Sequence, residues 1–318
     1  MRFIKEFKDL NTKDILLAGG KGANLGELTK IGIPVPPGFV ILANAFERFL
    51  EENDINVEIE RIWERMNVED IESVEESSEI LRDLILKGKM PKDIENEIFN
   101  AFKKLRAKYV AVRSSATTED SKIDSWAGEL ETYLNTTKEN LIENVKRCWA
   151  SLFTPRALFY RAKRNLMDKK VSVAVVVQKM VQSEVSGVCF TVHPVIKDRN
   201  QMVIEACWGL GEILVQGKIT PDSYVIDKSK IKNQKSKFIL DKNINPQEKM
   251  IVKVNGGTKE VKVPKEKIKK QKLSDNQIRK LAKICLKIEN HYKDPQDIEW
   301  AFEKNKFYIV QTRPITAL

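Results

Sequence analysis

The chain has 318 residues, of which 42% are hydrophobic and 31% charged, and its formal net charge is +10. These values are typical of a soluble globular protein with room for two domains or for one two-lobed domain. No apolar run reaches the length of a membrane span and charged residues interrupt the N-terminus, so we expect no transmembrane helix, no secretory signal and a cytoplasmic location.

The charge is unevenly distributed. Residues 228–272 contain 15 lysines against four acidic residues, whereas residues 51–80 contain 12 acidic residues and two arginines. A basic stretch can bind nucleic acid, but this one has only Phe238 as an aromatic residue and no arginine for stacking on bases. We therefore predict a solvated, lysine-rich β excursion over 228–272, with nucleic-acid binding as the less favoured alternative.

The predicted elements of the first half are mostly helical. Residues 19–26 open a short glycine-rich helix, and prolines make residues 33–40 extended. Apolar residues recur at helical spacing through 44–105, which predicts an acidic helical segment. A strand at 109–113 then leads into a loop rich in serine and threonine.

The second half mixes strands with two helical segments. Residues 141–165 are predicted to be helical with an offset near Pro155, and Ser274 is predicted to cap a helix over 275–292. Strands and β-hairpins are predicted over 171–181, 186–191, 201–206 and 222–263, and a β-hairpin follows the last helix. Strands and helices alternate without βαβ regularity, which predicts the α+β class. The four cysteines are far apart in sequence, so we expect reduced thiols.

The last hairpin carries polar residues spaced two apart. Asp297 and Glu299 form one such pair and Gln311 and Arg313 another, and strand residues two apart share a face. Carboxylate and amide oxygens suit Mg²⁺, and arginine can hold a phosphate. A polar face satisfied by water explains the pattern equally well when the hairpin is considered alone.

Three upstream residues suit a nucleotide. Lys21 lies among glycines before a helix, where backbone N–H groups and the helix dipole favour an anion. Arg113 precedes a run of hydroxyl residues, and Gln178 ends an apolar strand where an amide can recognise a purine edge. Each has a simpler alternative: a glycine turn, an arginine paired with an acid at 119–120, and a solvated strand end.

Nine segments occur in an order typical of one family. They are residues 19–28, 35–39, 112–116, 127–128 with 131–135, 148–153, 187 with 190–191, 209–212, 221–224, and 297–300 with 311–314. In this order they resemble the N-terminal ATP-binding domain shared by phosphoenolpyruvate synthase, pyruvate phosphate dikinase and rifampicin phosphotransferase. The resemblance implies an ATP-grasp fold of two lobes, with mixed β-sheets, flanking helices and the nucleotide in the cleft between the lobes. The lobes would span 1–182 and 183–318.

The resemblance also implies which residues act. The implied ATP-binding residues are Lys21, Arg113, Gly128, Thr132, Gln178, Met180, Glu299, Gln311 and Arg313. Of these, Lys21, Arg113 and Arg313 would be catalytic through their contacts with phosphates. Glu299 and Gln311 would bind Mg²⁺ with support from Asp297, and Gln178 with the backbone around Met180 would contact adenine.

The implied reaction is that of a dikinase. The β-phosphoryl group of ATP would pass to a histidine on a separate swivelling domain, and a separate acceptor-binding domain would use it. His193 and His291 lie in other contexts, so we expect that phosphohistidine domain outside these 318 residues. A phosphoenolpyruvate synthase-like system is favoured. The alternatives are an antibiotic kinase, which residues 295–300 and 313–316 resemble somewhat more closely, and a regulatory nucleotide-binding domain without turnover.

Two departures from the family pattern concern the turn after a strand and the phosphate loop, where His193 replaces a frequent acid and Glu129 a frequent glutamine. The metal role also makes a geometric prediction. For Glu299 and Gln311 to share a metal, they must lie on one face of the hairpin. Direct pairing then places Glu299 opposite Gln311 and Asp297 opposite Arg313, with an odd-length turn around 304–306.

Overall fold

The computed structural model of the chain describes residues 2–117, 131–164, 172–233 and 236–315. The chain forms two compact units: the first contains residues 1–27 and 37–180, and the second contains residues 28–36 and 181–318. Residues 28–36 therefore belong to the second unit, although the sequence-based boundary assigned them to the first lobe. The lobe boundaries of 1–182 and 183–318 stay a prediction.

Residues 28–36 join the second unit through both side chains and backbone. Leu28 and Ile33 are buried in its core. The Ile309 N–H donates a hydrogen bond to the Pro34 carbonyl at 2.9 Å. A boundary drawn along the sequence assumes that each lobe is continuous, and this short segment departs from it because its apolar side chains pack into the other core.

The first unit is built on a five-stranded sheet. The elements that begin in it are β1 (Ile4–Glu6), α1 (Ile15–Lys30), β2 (Gly38–Ile41), α2 (Ala43–Glu52), α3 (Ile55–Arg65), α4 (Ile71–Lys87), α5 (Lys92–Leu105), β3 (Val110–Ala116), β4 (Thr132–Thr136), α6 (Leu141–Ala150), α7 (Pro155–Lys163) and β5 (Val173–Lys179). The strand order is β1-β2-β5-β3-β4. The predicted acidic helical segment thus forms the four helices α2 to α5.

One face of this sheet carries the core of the first unit. Val110 and Val112 of β3 and Val177 of β5 lie in a buried cluster with side chains of α2 and α6. Phe49 and Trp149 pack there with ring centroids 5.0 Å apart. Since side chains alternate along a strand, the residues between these valines lie on the opposite face. That opposite face holds the polar residues described below.

The second unit is built on a six-stranded sheet with a separate hairpin. Its elements are β6 (Val185–Phe190), β7 (Gln201–Trp208), α8 (Glu212–Val215), β8 (Asp222–Asp227), β9 (Ile239–Asn243), β10 (Lys249–Val254), β11 (Gly257–Lys262), α9 (Asp275–Tyr292), β12 (Gln296–Glu303) and β13 (Lys306–Pro314). The sheet order is β13-β12-β6-β7-β8-β9, and β10 pairs with β11.

Helix α9 covers one face of the six-stranded sheet. It begins where predicted, because the Gln277 N–H donates to the Ser274 hydroxyl at 3.4 Å and the Ser274 N–H donates to the Gln277 side chain at 2.8 Å. Its Leu281 and Cys285 are buried in one cluster with Trp300 of β12. The alternate residues of β12, which include the two predicted acids, therefore lie on the other face.

The predicted α+β class is confirmed. Every strand pair in the described residues is antiparallel, where the resemblance led us to expect mixed sheets. The parallel strands β2 and β3 are not neighbours, because β5 lies between them and pairs with both. All four cysteines are buried and unbridged. Among the described residues, no helix combines the length and apolar character that crossing a membrane requires.

Candidate functional site

The glycine-rich segment of the first unit is fixed to strand β3. Gly19 has a φ of 67°, and a Cβ at this position would lie 2.3 Å from the Ser115 carbonyl oxygen, so only glycine fits. The Ser115 hydroxyl donates to the Ala18 carbonyl at 3.0 Å and accepts from the Gly22 N–H at 3.3 Å. These contacts place the half-buried Lys21 in the first turn of regular helix after Gly19.

Three other predicted residues lie on the sheet face to which this segment is fixed. Arg113 of β3 pairs directly with Thr132 of β4, so the two side chains share a face. Gln178 of β5 lies opposite Ala111, two residues before Arg113 and therefore on the same face. Because Ser115 is two residues after Arg113, the glycine-rich segment lies on this face as well. Folding thus brings four of the predicted ATP residues of the first unit to one surface.

The hydroxyl run after Arg113 has partners within the fold. The Ser114 hydroxyl donates to the Glu131 carbonyl at 3.0 Å, and the Thr117 hydroxyl donates to the Ser172 carbonyl at 3.1 Å. With Ser115 holding the glycine-rich segment, the hydroxyl protons of these three described residues serve the structure; residue 118 of the run lies outside the described residues. Arg113 itself is therefore the residue of this run that we retain for phosphate binding; its side chain is 8% exposed.

The backbone N–H groups at Lys179 and Met180 already donate hydrogen bonds within the fold. The Lys179 N–H donates to the Pro37 carbonyl at 2.9 Å, and the Met180 N–H donates to the Tyr109 carbonyl at 3.0 Å. An adenine contact at Met180 would therefore use its carbonyl oxygen or its side chain. Gly128, predicted to lie over the phosphates, is outside the described residues, as is residue 129.

In the second unit, the predicted register of the final hairpin is confirmed. Glu299 lies opposite Gln311, and Asp297 lies opposite Arg313. Direct cross-strand partners and residues two apart share a face, so all four side chains lie on one surface of the sheet. The alternating Ile298 and Trp300 are buried on the other surface. The geometric condition for a shared metal is therefore met.

The expected odd-length turn was wrong. Lys304 and Asn305 form a two-residue turn between the paired residues Glu303 and Lys306, with φ angles of 50° and 62°. Two positive φ angles are typical of a type I′ turn, whose twist matches that of the flanking strands. The register is restored by a β-bulge opposite the Glu299/Trp300 step, where Val310 is the extra residue. A two-residue turn followed by one extra strand residue places Glu299 and Gln311 on the same face of the sheet, as an odd-length turn without a bulge would.

Arg313 is oriented by Asp297. Its Nε and Nη2 atoms both donate to the Asp297 Oδ2 atom, at 2.9 and 2.8 Å. Burial raises the pKa of Asp297, the Arg313 guanidinium opposes that rise, and the negative charge of Glu299 adds to it. The carboxylate therefore directs a guanidinium along the same face that presents Glu299 and Gln311.

A further carboxylate on this face escaped the sequence analysis. Glu205 of β7 pairs with Val188, and Val188 pairs with Glu299, so the three side chains form one row across the sheet. Burial raises the pKa of Glu205, and the negative charge of Asp297 raises it further. The available signal was a single acid inside the apolar run of residues 202–207.

Glu299 and Gln311 fit a hard divalent cation that is also bound to phosphate. They present one carboxylate and one amide oxygen from adjacent strands, which are ligand types that Mg²⁺ accepts. Within the ranges that the structure describes, no group of three or more His, Cys, Asp or Glu side chains is placed to hold a metal. An all-protein cage is therefore not formed there, whereas Mg²⁺ commonly takes only one or two protein ligands beside substrate phosphates.

Comparison with known proteins identifies the family. Residues 15–318 match the sequence model described as "Pyruvate phosphate dikinase, AMP/ATP-binding domain". The chain is 45% identical to a probable phosphoenolpyruvate synthase of Methanocaldococcus jannaschii, with 100% of this chain and 27% of that protein covered. It is 44% identical to the phosphoenolpyruvate synthase of Pyrococcus furiosus, with 100% of this chain and 44% of that protein covered. It is 48% identical to a probable phosphoenolpyruvate synthase of Archaeoglobus fulgidus, with 98% of this chain and 41% of that protein covered.

The chain thus spans less than half the length of these relatives, and it aligns with them over nearly all of its own residues. The family match covers every described residue assigned to the phosphate, adenine and metal sites above. Both polar sheet faces lie within the matched residues, and the chain belongs to the pyruvate phosphate dikinase AMP/ATP-binding domain family.

Proposed function

We propose that this chain is the Mg²⁺·ATP-binding catalytic part of a dikinase of the phosphoenolpyruvate synthase type. It binds ATP and passes a phosphoryl group to a histidine on a separate swivelling domain, from which a separate acceptor-binding domain takes it. The observation that carries the proposal is the single sheet face on which Glu299 lies opposite Gln311 and Asp297 orients Arg313. The relatives named above, all phosphoenolpyruvate synthases or probable ones, support this type of system.

The residues of the first unit bind the phosphates and the base. Lys21, in the first turn after Gly19, and Arg113 neutralise phosphate charge, since ammonium and guanidinium groups are effective phosphate partners. Thr132, the cross-strand neighbour of Arg113, adds a hydroxyl at the same surface. Gln178 is 2% exposed and offers an amide to the purine edge.

The residues of the second unit act on the phosphoryl group that moves. Glu299 and Gln311 hold Mg²⁺, which when bound neutralises the phosphate oxygens and favours transfer. Arg313 contacts the transferring phosphoryl group, and Asp297 keeps the guanidinium in place through Oδ2. Asp297 therefore supports the site mainly through Arg313. Catalysis consists of positioning and charge stabilisation, as is usual for phosphoryl transfer.

A cytoplasmic location is part of the proposal. ATP is the substrate, and the four unbridged cysteines suit a reducing compartment. The antibiotic-kinase alternative remains limited to the likeness of residues 295–300 and 313–316, and no contact in the described residues favours it.

Titration calorimetry with ATP, with and without Mg²⁺, tests the proposal. We expect binding that strengthens with Mg²⁺ in the unaltered chain and loses this Mg²⁺ dependence in the Glu299→Ala variant. Arg313→Ala is expected to bind ATP but to lose transfer to a supplied phosphohistidine domain. Arg199→Ala removes an exposed arginine of the same unit and serves as the control. Absence of ATP binding by the folded, unaltered chain would contradict the proposal.

A further inference from the structure

We infer that residues 245–268, here called the lysine arm, position the turn of residues 208–212 beside the metal-binding face. The lysine arm is then a positioning element for ATP binding and not a surface for nucleic acid. This inference rests on the proposed function, because its consequence is measured as ATP affinity. It assigns a role to part of the lysine-rich stretch 228–272, which the catalytic residues leave unexplained; the lysine arm contains six of the 15 lysines of that stretch.

The first observation is that Gln247 holds both backbone groups of Trp208. The Trp208 N–H donates to the Gln247 side-chain oxygen at 2.8 Å, and the Gln247 amide donates back to the Trp208 carbonyl at 3.1 Å. The same amide donates to the Lys249 carbonyl at 2.8 Å, which ties the side chain to the start of β10. Gln247 is 1% exposed, so bulk water does not compete for these hydrogen bonds in the folded chain, and removing the side chain leaves buried backbone groups without their partner.

The second observation is a close backbone contact between the turn and β10. The Leu210 N–H donates to the Ile251 carbonyl at 2.9 Å. Gly209 has a φ of 84°, and a Cβ there would lie 2.5 Å from the same carbonyl oxygen. Trp208 adds a third contact, because its indole N–H donates to the Lys267 carbonyl at 3.2 Å. The lysine arm thus contacts three consecutive residues of the turn.

The other side of the turn is fixed to the catalytic sheet. The Gly209 carbonyl accepts hydrogen bonds from the Ser183 hydroxyl at 2.9 Å and the Ser186 hydroxyl at 2.7 Å. Ser186 lies on β6 two residues before Val188, the direct partner of Glu299. The turn is therefore attached to the face that presents Glu299, one side-chain row away.

The position of the turn also sets the position of the Glu212 carboxylate at its end. Glu212 follows Gly211, and its Oε1 atom accepts from the Gln216 amide at 3.1 Å. Its Oε2 atom is buried and has no hydrogen-bond partner among the described residues. A shift of the turn would move this carboxylate and the edge of the face relative to Glu299. Small displacements of groups that surround a substrate have large effects on binding and rate.

Most lysines of the arm lie away from the turn. Lys267 is an exception, because its ammonium lies 5.3 Å from the centroid of the Trp208 ring. Lys253, Lys259 and Lys262 are exposed on the hairpin, whereas Ile251 is buried beside the turn. The hydrogen bonds to the turn are made by backbone carbonyls and by the uncharged Gln247. The exposed lysines of the hairpin are therefore explained as its solvated side, while the other side of the hairpin packs on the turn.

Gln247→Ala is the main test. It removes the hydrogen bonds to Trp208 and Lys249, and we expect the dissociation constant for Mg²⁺·ATP to rise by about tenfold. Gln247→Glu keeps the acceptor for the Trp208 N–H and should lie between Gln247→Ala and the unaltered chain. Lys249→Ala breaks only the exposed 2.9 Å ion pair with Glu260 and is the matched control, with unchanged affinity expected.

Hydrogen exchange of the Leu210 amide provides a readout that does not depend on ATP. Faster exchange in Gln247→Ala, with slow exchange in Lys249→Ala, is expected whether or not the proposed function holds. If the unaltered chain binds no ATP, the proposed function fails while the exchange result still shows whether the arm holds the turn. If Gln247→Ala does not fold, Ser183→Ala loosens the same turn from its other side and should weaken ATP binding in the same direction.

Three results would overturn the inference. One is unchanged ATP affinity in folded Gln247→Ala, even if its melting temperature falls, because that would indicate a structural role only. Another is Leu210 exchange that is equally slow in Gln247→Ala and in the unaltered chain. The third is binding of RNA or DNA by the unaltered chain that is lost when Lys253, Lys259 and Lys262 are replaced by alanine, since that would make the arm a nucleic-acid surface.

Discussion

The polar face of the second unit carries three carboxylates, those of Glu205, Asp297 and Glu299. Asp297 has its partner in Arg313, whereas Glu205 has no ion pair in the described part of the chain. The residue types at 297, 299, 311 and 313 were identifiable in the sequence because their spacing of two places them on one strand face. Glu205 was not, because its proximity arises from the order of strands β12, β6 and β7.

The raised pKa of Glu205 has a consequence for stability. Burial and the charge of Asp297 raise this pKa above its ordinary value of 4.5. The protonated carboxyl is therefore favoured more strongly in the folded state than in the unfolded state. The contribution to stability is present below the unfolded-state pKa and is lost as the pH rises through the folded-state pKa. We therefore expect Glu205→Gln to be more stable than the unaltered chain at about pH 7, with the difference closing near about pH 4.

Urea denaturation at several pH values measures this difference. The exposed Glu266 is a suitable control, since Glu266→Gln should leave the pH dependence as it is in the unaltered chain. A Glu205→Gln variant that is less stable at neutral pH would show that the ionised carboxylate has a favourable partner in the fold.

The second residue-scale prediction concerns Asp297. Asp297→Asn keeps the size of the side chain but removes the charge that holds the Arg313 guanidinium. We expect phosphoryl transfer to a supplied phosphohistidine domain to slow by about 10- to 100-fold, while ATP affinity changes by less than about threefold. Single-turnover transfer and calorimetry separate the two quantities. An equal loss of both would place Asp297 in ATP or metal binding instead of in the orientation of Arg313.

At the scale of single elements, the final hairpin shows how register is set. Two L-residues adopt positive φ at its turn, and Val310 bulges so that Glu299 and Gln311 stay opposite each other. The pairing was predicted from the metal role that the resemblance implies for Glu299 and Gln311. The turn length was not predictable, because an even turn with a bulge and an odd turn are equivalent for the faces and differ only in local backbone strain.

That strain gives a prediction for the turn. Asn-Gly is the preferred pair for a type I′ turn, so Lys304→Asn combined with Asn305→Gly should relieve the cost of positive φ. We expect the free energy of unfolding to rise by about 1 kcal/mol. Denaturant titration of the double variant checks the value, and unchanged ATP affinity would confirm that the register is kept. A loss of stability would mean that Lys304 makes a favourable contact at the turn.

At the scale of the whole molecule, each unit has one sheet face that carries its core and one that carries the side chains proposed to bind ATP. In the second unit, a buried ion pair connects distant segments: the Lys272 ammonium lies 2.7 Å from the Asp222 carboxylate, and both side chains are 0% exposed. The Tyr224 hydroxyl donates to Asp222 at 2.8 Å, and the Asn245 N–H donates at 3.0 Å. The pair thereby fixes β8 to both ends of the segment that contains the lysine arm.

Breaking this pair should be costly. Lys272→Met leaves the Asp222 carboxylate buried without its cation, and we expect a loss of about 3–5 kcal/mol in the free energy of unfolding. The double variant Asp222→Asn with Lys272→Met removes both charges and should recover part of that loss. Equilibrium denaturation of both variants measures the two changes. A single variant as stable as the unaltered chain would mean that water or another cation reaches Asp222.

The amino-acid sequence by itself determined the α+β class, the helix that starts after Ser274, and the shared face of Glu299 and Gln311. Local periodicity is enough for these features, because it decides which side of a helix or strand a side chain occupies. The tertiary structure alone decided that Asp297 holds Arg313, that Glu205 joins the face of Glu299 and Gln311, and that the lysine-rich segment contacts Trp208. Such partners come from residues far apart in the chain, and no local pattern specifies which distant groups will meet.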